Sequence, residues 1–171
     1  MSVGLNLKPV KFGKDSIGII EQVENWLEND TTGYVRNRLF NGQNGSFQSL
    51  VDGSLGSRVR LQEAYAYLCD GVVIGVLFTT TTFNENSCFE NVNITTICAN
   101  PEDAVHLVES EMIGDLKRRV AKRNFPNIFS DFSYVNEDLA KIYAANDFYV
   151  MKEKNNIHVV YQIEKAHEKT M

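Results

Sequence analysis

The stretch TTICANPEDAVHLVESE, residues 95–111, changes its period halfway along. Thr95, Thr96 and Ile97 are β-branched and read as the end of a strand, NVNITTICA (91–99). After Pro101 the pattern turns helical: Val105, Val108, Met112, Leu116 and Val120 fall on one stripe of a helix predicted over 102–124. NIFSDFSYV (127–135) then reads as a second strand. Strand, helix and strand in that order predict two neighbouring parallel strands with a right-handed crossover. Ligands in such sheets collect at the carboxyl ends of parallel strands. A helix start at that place is also where many folds hold an anion, usually with glycines that let backbone N–H groups approach. This junction has carboxylates and no glycine.

Outward from it, the chain supplies the rest of a sheet. RLQEAYAYLCDG (60–71) and VVIGVLFTTTTF (72–83) are β-rich runs joined at Asp70-Gly71, a dipeptide suited to a tight hairpin. KPVKF (8–12) is a candidate edge strand, and FYVMKEK and IHVVYQIEK form a closing hairpin across Asn155-Asn156. Ile17, Ile20, Val23 and Leu27 recur at helical spacing behind Asp15 or Ser16 as a cap. TTGYVRNRLFNG (31–42) is a second helix, and NEDLAKIYAAND (136–147) a further one with Asn136 as N-cap. Residues 41–60 are rich in Gly, Asn and Ser and read as a long loop. The order is β-α-α-β-β-β-α-β-α-β-β. The predicted class is α/β (α+β), with a mixed, mostly antiparallel sheet of about six to seven strands flanked by helices.

Composition bounds the function. A chain of 171 residues with 43% hydrophobic and 23% charged residues suits a single domain, 1–171, with a sizeable core. A net charge of −5 gives no basic footprint for nucleic acid. No apolar run approaches the ~20 residues that span a bilayer, and MSVGLNLKPVKFG has no apolar core of a signal peptide. Cys69, Cys88 and Cys98 are odd in number and lack C-x-x-C spacing, so they read as free thiols in a cytoplasmic protein. His106, His158 and His167 are scattered, without metal-ligand spacing, and no metal is expected.

The element order over residues 8–165, with VNEDLAKIYAANDF (135–148) near its end, resembles the GNAT superfamily of N-acetyltransferases. That family's late motif has an Asn after a strand, an Ala, a Tyr three residues on and a closing Phe; here these are Asn136, Ala140, Tyr143 and Phe148. The family's Gly before the Phe is Asp147 here. Its phosphate-binding segment, Gln or Arg, two residues, Gly, one residue, Gly or Ala, matches about Val105-His106-Leu107-Val108-Glu109-Ser110, which holds no Arg, Gln or Gly. The resemblance implies transfer of an acetyl group from acetyl-CoA to a small-molecule or peptide amine. Tyr143 then matches the acid that protonates the leaving thiolate. The backbone around Ile97, Cys98 and Ala99 matches the strand edge that holds the acetyl and pantetheine groups. Val105 and Ser110 match the phosphate segment, and Asn136 a coenzyme-contacting Asn.

Other readings of the same residues stay open. Tyr143 lies beside Leu139 and Ile142 on an apolar helix face and is also a candidate core aromatic. Glu63 and Asp131 are candidate bases by strand placement, and equally outward-facing strand residues. Cys98 is also read as a buried structural thiol, and Phe125, Phe129 and Phe132 as core. KRRVAKR (117–123) reads as a solvated helix end whose cations complement the helix dipole. At 99–110, Asn100 or Asp103 can cap the helix, and Pro101 has no N–H to donate. The expectation there is a self-satisfied helix start that binds coenzyme A weakly at best. Two functions follow: an acyl-CoA-dependent N-acyltransferase, or a GNAT-like fold without coenzyme that serves as an interaction or regulatory module. The sequence gives neither the acceptor nor the oligomeric state.

Overall fold

The structure, a computed structural model, describes residues 8–13, 16–55, 61–83, 90–123 and 127–162. Strand β1 (Lys8–Lys11) is followed by helices α1 (Ile17–Glu28), α2 (Tyr34–Phe40) and α3 (Phe47–Leu55). Then come β2 (Leu61–Cys69), β3 (Val72–Phe83), β4 (Glu90–Ala99), α4 (Val105–Ala121) and β5 (Asn127–Ser133). A 3-10 turn (Tyr134–Asn136), α5 (Asp138–Ala145), β6 (Tyr149–Lys152) and β7 (Asn156–Gln162) complete the order. The seven strands form one sheet in the order β1-β2-β3-β4-β5-β7-β6. Only β4 and β5 pair in parallel, as the strand–helix–strand pattern predicts.

The hairpin at Asp70-Gly71 forms because both residues take positive φ, 50° and 81°, the conformation of the tight turn that dipeptide favours. The apolar run of β3 is explained by cover on both faces. On one face, α4 and α5 pack Val108, Met112, Ile113, Leu116 and Tyr143 against Tyr67, Leu77, Ile94 and Ile128. On the other, α1–α3 pack Val23, Trp26, Val35 and Phe47 against Ala66, Val76 and Phe78. Gly75 lets α4 approach the sheet: a Cβ there would stand 2.7 Å from Met112 Sδ and 3.2 Å from the Cys98 carbonyl oxygen.

Several local expectations are corrected. The segment 41–60 contains α3, because Phe47 and Val51, one turn apart, bury against Phe12 and Phe78; its Gly and Ser content concealed that pair. Helix α4 starts at Val105 rather than 102, and its N-cap position is Ala104, with no side-chain cap. Asn100 instead accepts the Glu102 N–H (3.0 Å) and donates to the Val73 carbonyl (3.1 Å), which fixes the turn ahead of the helix. The Ser16 hydroxyl accepts the Gly13 N–H at 2.7 Å and caps nothing. Phe132 is core, whereas Phe129 is partly exposed on the open face of β5. Arg119 and Arg123 at the end of α4 are tied into ion pairs with Asp115 and Glu63 instead of standing free in solvent. Cys69 and Cys98 are free thiols. Asp15, Cys88, Phe125 and His167 lie outside the described residues. Among the described residues no helix is long and apolar enough to cross a membrane.

Candidate active site

The parallel pairing of β4 and β5 is short. It runs from Asn91 opposite Asn127 to Asn93 opposite Phe129, and then the strands part. The cause is a bulge: Ile94 opposes Thr79 on β3 and Thr96 opposes Phe78, which leaves Thr95 as an extra residue in β4. A bulge bends its strand and sharpens the local twist. The Thr95 hydroxyl donates to the Phe78 carbonyl (3.2 Å), and the Ser130 hydroxyl donates to the Ile94 carbonyl (2.7 Å) at the point of parting. Beyond it, the β5-facing edge of β4 has no strand partner, and a cleft opens toward the carboxyl ends.

The cleft holds a cavity of about 30 Å³, lined by Ile94–Ile97 of β4, Ser130–Phe132 of β5, Asn136, Leu139 and Tyr143 beyond β5, and Arg38 and Asn41 at the end of α2. This is room for little more than a water or two. Tyr143 lies at its wall, wholly buried, stacked on Phe132 at 5.7 Å and tilted against Phe148 at 4.9 Å. The Ser130 hydroxyl gives its proton to the Ile94 carbonyl and lies close enough to the Tyr143 hydroxyl to lower its pKa somewhat against the larger effect of burial. The Tyr143 hydroxyl has no hydrogen-bond partner of normal geometry. Burial pushes its pKa up, so it holds its proton at neutral pH.

The mouth of the cleft is polar and filled. Arg38 of α2 is 6% exposed and lies between the starts of α4 and α5. Its Nε donates to Glu109 Oε2 at 2.6 Å and Nη2 to Glu109 Oε1 at 3.3 Å. Nη1 donates to Asn136 Oδ1 at 2.8 Å and to Asp138 Oδ1 at 2.9 Å, and Nη2 to Asp138 Oδ2 at 2.6 Å. Every N–H of the guanidinium is thereby used. Burial works against its charge, but the bonds to Asp138 and Glu109 outweigh that and raise its pKa further. Glu109 is 0% exposed; burial pushes its pKa up, against the bonds from Arg38 that favour the carboxylate. For Asp138 the balance reverses: burial raises its pKa, and the Arg38 bonds and then His106, at 3.1 Å, bring it below the ordinary aspartate value. Among the described residues, two carboxylates around Arg38 leave that buried cation no positive charge to spare.

The residues anticipated from sequence separate into groups. Tyr143, Asp131 and Ile97 line the same cavity. Asp131 is exposed and accepts a contact from His158 Nδ1 at 2.6 Å. Glu63 is not with them: it pairs with Arg123 (3.2 Å) and the Tyr65 hydroxyl over the far end of α4. The Ala99 N–H is already taken by the Tyr34 hydroxyl at 2.9 Å. Cys98 faces the α1–α3 core, where burial pushes its thiol pKa up and leaves it unreactive. Val105 begins α4, and Ser110 accepts from Asn146 Nδ2 at 3.0 Å, a tie to the end of α5.

Asn136 does not cap α5; that position is Glu137. Its buried amide accepts from Arg38 and donates to the Asn37 carbonyl (2.7 Å) and Asn41 Oδ1 (3.1 Å), which closes the last turn of α2. Arg38, Asp138 and Tyr34 were not singled out from sequence, and Glu109 only as part of the segment that matches the phosphate loop. A signal did exist: Glu109 falls on the buried stripe of α4 between Val105 and Met112, where a carboxylate requires a cation.

No family model and no curated protein matches the sequence. Solved structures do. The GNAT domain of S. lividans PAT superposes with a TM-score of 0.69 at 9% identity, over 91% of this chain and 90% of that one. A probable acetyltransferase from Staphylococcus epidermidis gives 0.67 at 10%, over 91% and 98%. The Campylobacter jejuni N-acetyltransferase PseH, in complex with acetyl coenzyme A, gives 0.63 at 14%, over 91% and 98%. At such identities the likeness is one of fold.

Proposed function

We propose that this chain, which has the GNAT fold, is an N-acyltransferase that moves an acyl group from acetyl-CoA or a related thioester to an amine. The observation that carries the reading is the Tyr143 hydroxyl: wholly buried, protonated, with no hydrogen bond of full geometry among the described residues, at the wall of the cleft between β4 and β5. An unsatisfied buried hydroxyl costs about 1–3 kcal/mol, and such a group calls for a reason beyond packing.

The fit to coenzyme is divided. The thioester end suits the cleft, where the unpaired edge of β4 at Thr95–Ile97 offers backbone groups and Tyr143 a proton. The diphosphate end does not suit the start of α4, which has no glycine from Ala99 to Ile113 and buries Glu109 among its first turns. When bound, the coenzyme supplies an acyl group activated as a thioester. The β4 edge would hold and orient it, and the apolar walls at Ile94, Ile97 and Phe132 would exclude water. Asp131, at the exposed rim, would take a proton from the acceptor ammonium, with His158 orienting its carboxylate. Tyr143 would give its proton to the departing sulfur and take one back from the nitrogen that becomes the amide. The acceptor is a small-molecule or peptide amine.

Thermal melting with acetyl-CoA tests the reading. Ligand at 100 times its Kd stabilises by about 2.7 kcal/mol, roughly 5–10 °C for a domain of this size. A shift that develops only toward millimolar acetyl-CoA is expected. No shift at millimolar concentration overturns the acyltransferase reading. It would leave the second one, an interaction module without coenzyme, which the filled mouth at Arg38 and Glu109 favours.

A further inference from the structure

Helix α2 stands across the site in two ways. The Tyr34 hydroxyl occupies the Ala99 N–H, on the same strand just beyond the Thr95–Ile97 edge that the acyltransferase reading assigns to coenzyme. Arg38 fills the gap between the starts of α4 and α5 through bonds to Glu109, Asn136 and Asp138. The helix is only seven residues long and is flanked by residues with positive φ: Gly33 at 81°, Asn41 at 52° and Gly42 at 84°. Its attachments to the mouth of the cleft are side-chain hydrogen bonds, whereas its apolar residues Val35 and Leu39 pack, with Cys98 of β4, into the core under α1 and α3.

We infer that α2 is a latch over the coenzyme channel: the form in the structure is the closed one, and coenzyme binds only when Tyr34 and Arg38 withdraw. The inference rests on the acyltransferase reading above. It explains how a cleft with a waiting Tyr143 hydroxyl can have a cavity of only about 30 Å³. Closure also makes binding weak from outside, because the apparent affinity falls by the fraction of molecules that are open. Glu109 is the keeper of the latch. It anchors Arg38 from the side of the helix start, and it opposes a diphosphate there for as long as it is charged.

The experiment is hydrogen exchange on the wild-type protein with and without saturating acetyl-CoA, together with the affinity of Arg38→Ala/Glu109→Gln for the same ligand. The double change removes the latch without leaving a buried charge unpaired. Ligands usually slow exchange, so the expected sign is diagnostic: amides in 34–40 exchange faster with acetyl-CoA, those in 95–99 slower, and the double variant binds at least tenfold more tightly. Acetyl-CoA bound to the wild type with exchange at 34–40 unchanged or slowed overturns the latch and leaves the acyltransferase reading standing. Absence of binding by both forms at millimolar acetyl-CoA overturns that reading and the latch with it.

Discussion

Tyr143→Phe should make the protein more stable and less active, a pairing that ordinary core substitutions do not give. The native hydroxyl is buried with no protein partner of full hydrogen-bond geometry among the described residues, so the folded state forfeits whatever hydration the water-sized space beside it does not return. From burial of such a group without compensation, removal is worth about 1–2 kcal/mol in favour of the variant. A small void opposes this. Losing one oxygen leaves about 10–15 Å³, which at ~24 cal/mol per Å³ costs about 0.3 kcal/mol. Phe keeps the ring contacts with Phe132 and Phe148, so the net gain is about 1 kcal/mol. For a domain of this size, that is about 2–4 °C in melting temperature. Calorimetry or urea titration measures it. Turnover, followed by release of the coenzyme thiol, should drop by about 10²–10⁴-fold, the usual loss for a general acid. A variant less stable by 1 kcal/mol or more would mean that Ser130 or another group satisfies the hydroxyl in the native protein. The proton would then be engaged, and the case for Tyr143 as a waiting acid would fail.

Arg38→Ala leaves Glu109 buried beside no cation and should cost about 3–5 kcal/mol, whereas Arg38→Met/Glu109→Leu, which removes both charges at similar volume, should cost far less; urea midpoints of the two variants compare them directly, and equal losses would refute a charge origin. Asp138 has a folded-state pKa below its ordinary value of 3.8. Its contribution is therefore present above that value and lost as pH falls through the lower, folded one. Asp138→Asn should flatten the fall of stability below about pH 4, read from melting temperatures between pH 5 and pH 2; an unchanged slope would mean that Arg38 draws nothing from Asp138.

The fold was readable because it is written in periods. The helical stripe Val105, Val108, Met112, Leu116, Val120 between two β-branched runs allows one crossover, and the structure pairs those runs in parallel. Asp70-Gly71 announces its turn through the one backbone conformation both residues tolerate. Where the reading slipped, a local rule met a tertiary one. Asn136 suits an N-cap by type, yet its amide bonds with Arg38, Asn37 and Asn41, residues about a hundred positions earlier in the chain. Helix α3 went unread because its short apolar face, Phe47, Leu50 and Val51, is diluted by Gly and Ser and acquires meaning only against Phe12 and Phe78.

The site was less legible for a related reason. The absence of glycine from this helix start is visible in the sequence, but what occupies the place is not, since Arg38 and Glu109 are 71 residues apart. Each alone has an ordinary surface reading: Arg38 as the basic residue in the last turn of a short helix, Glu109 as one acid among several in VESE. Only burial makes them inseparable, because either charge alone in that place is prohibitive. The absence of glycine and the presence of the buried pair thus concern the same helix start. A Gly in place of Glu109 would remove the buried carboxylate from the helix start and leave Arg38 without its anchor; Glu there fills that space and holds α2. The helix start is more than a corner of the fold. It is a carboxylate-keyed contact between α4 and α2, and the proton at Tyr143 lies behind it.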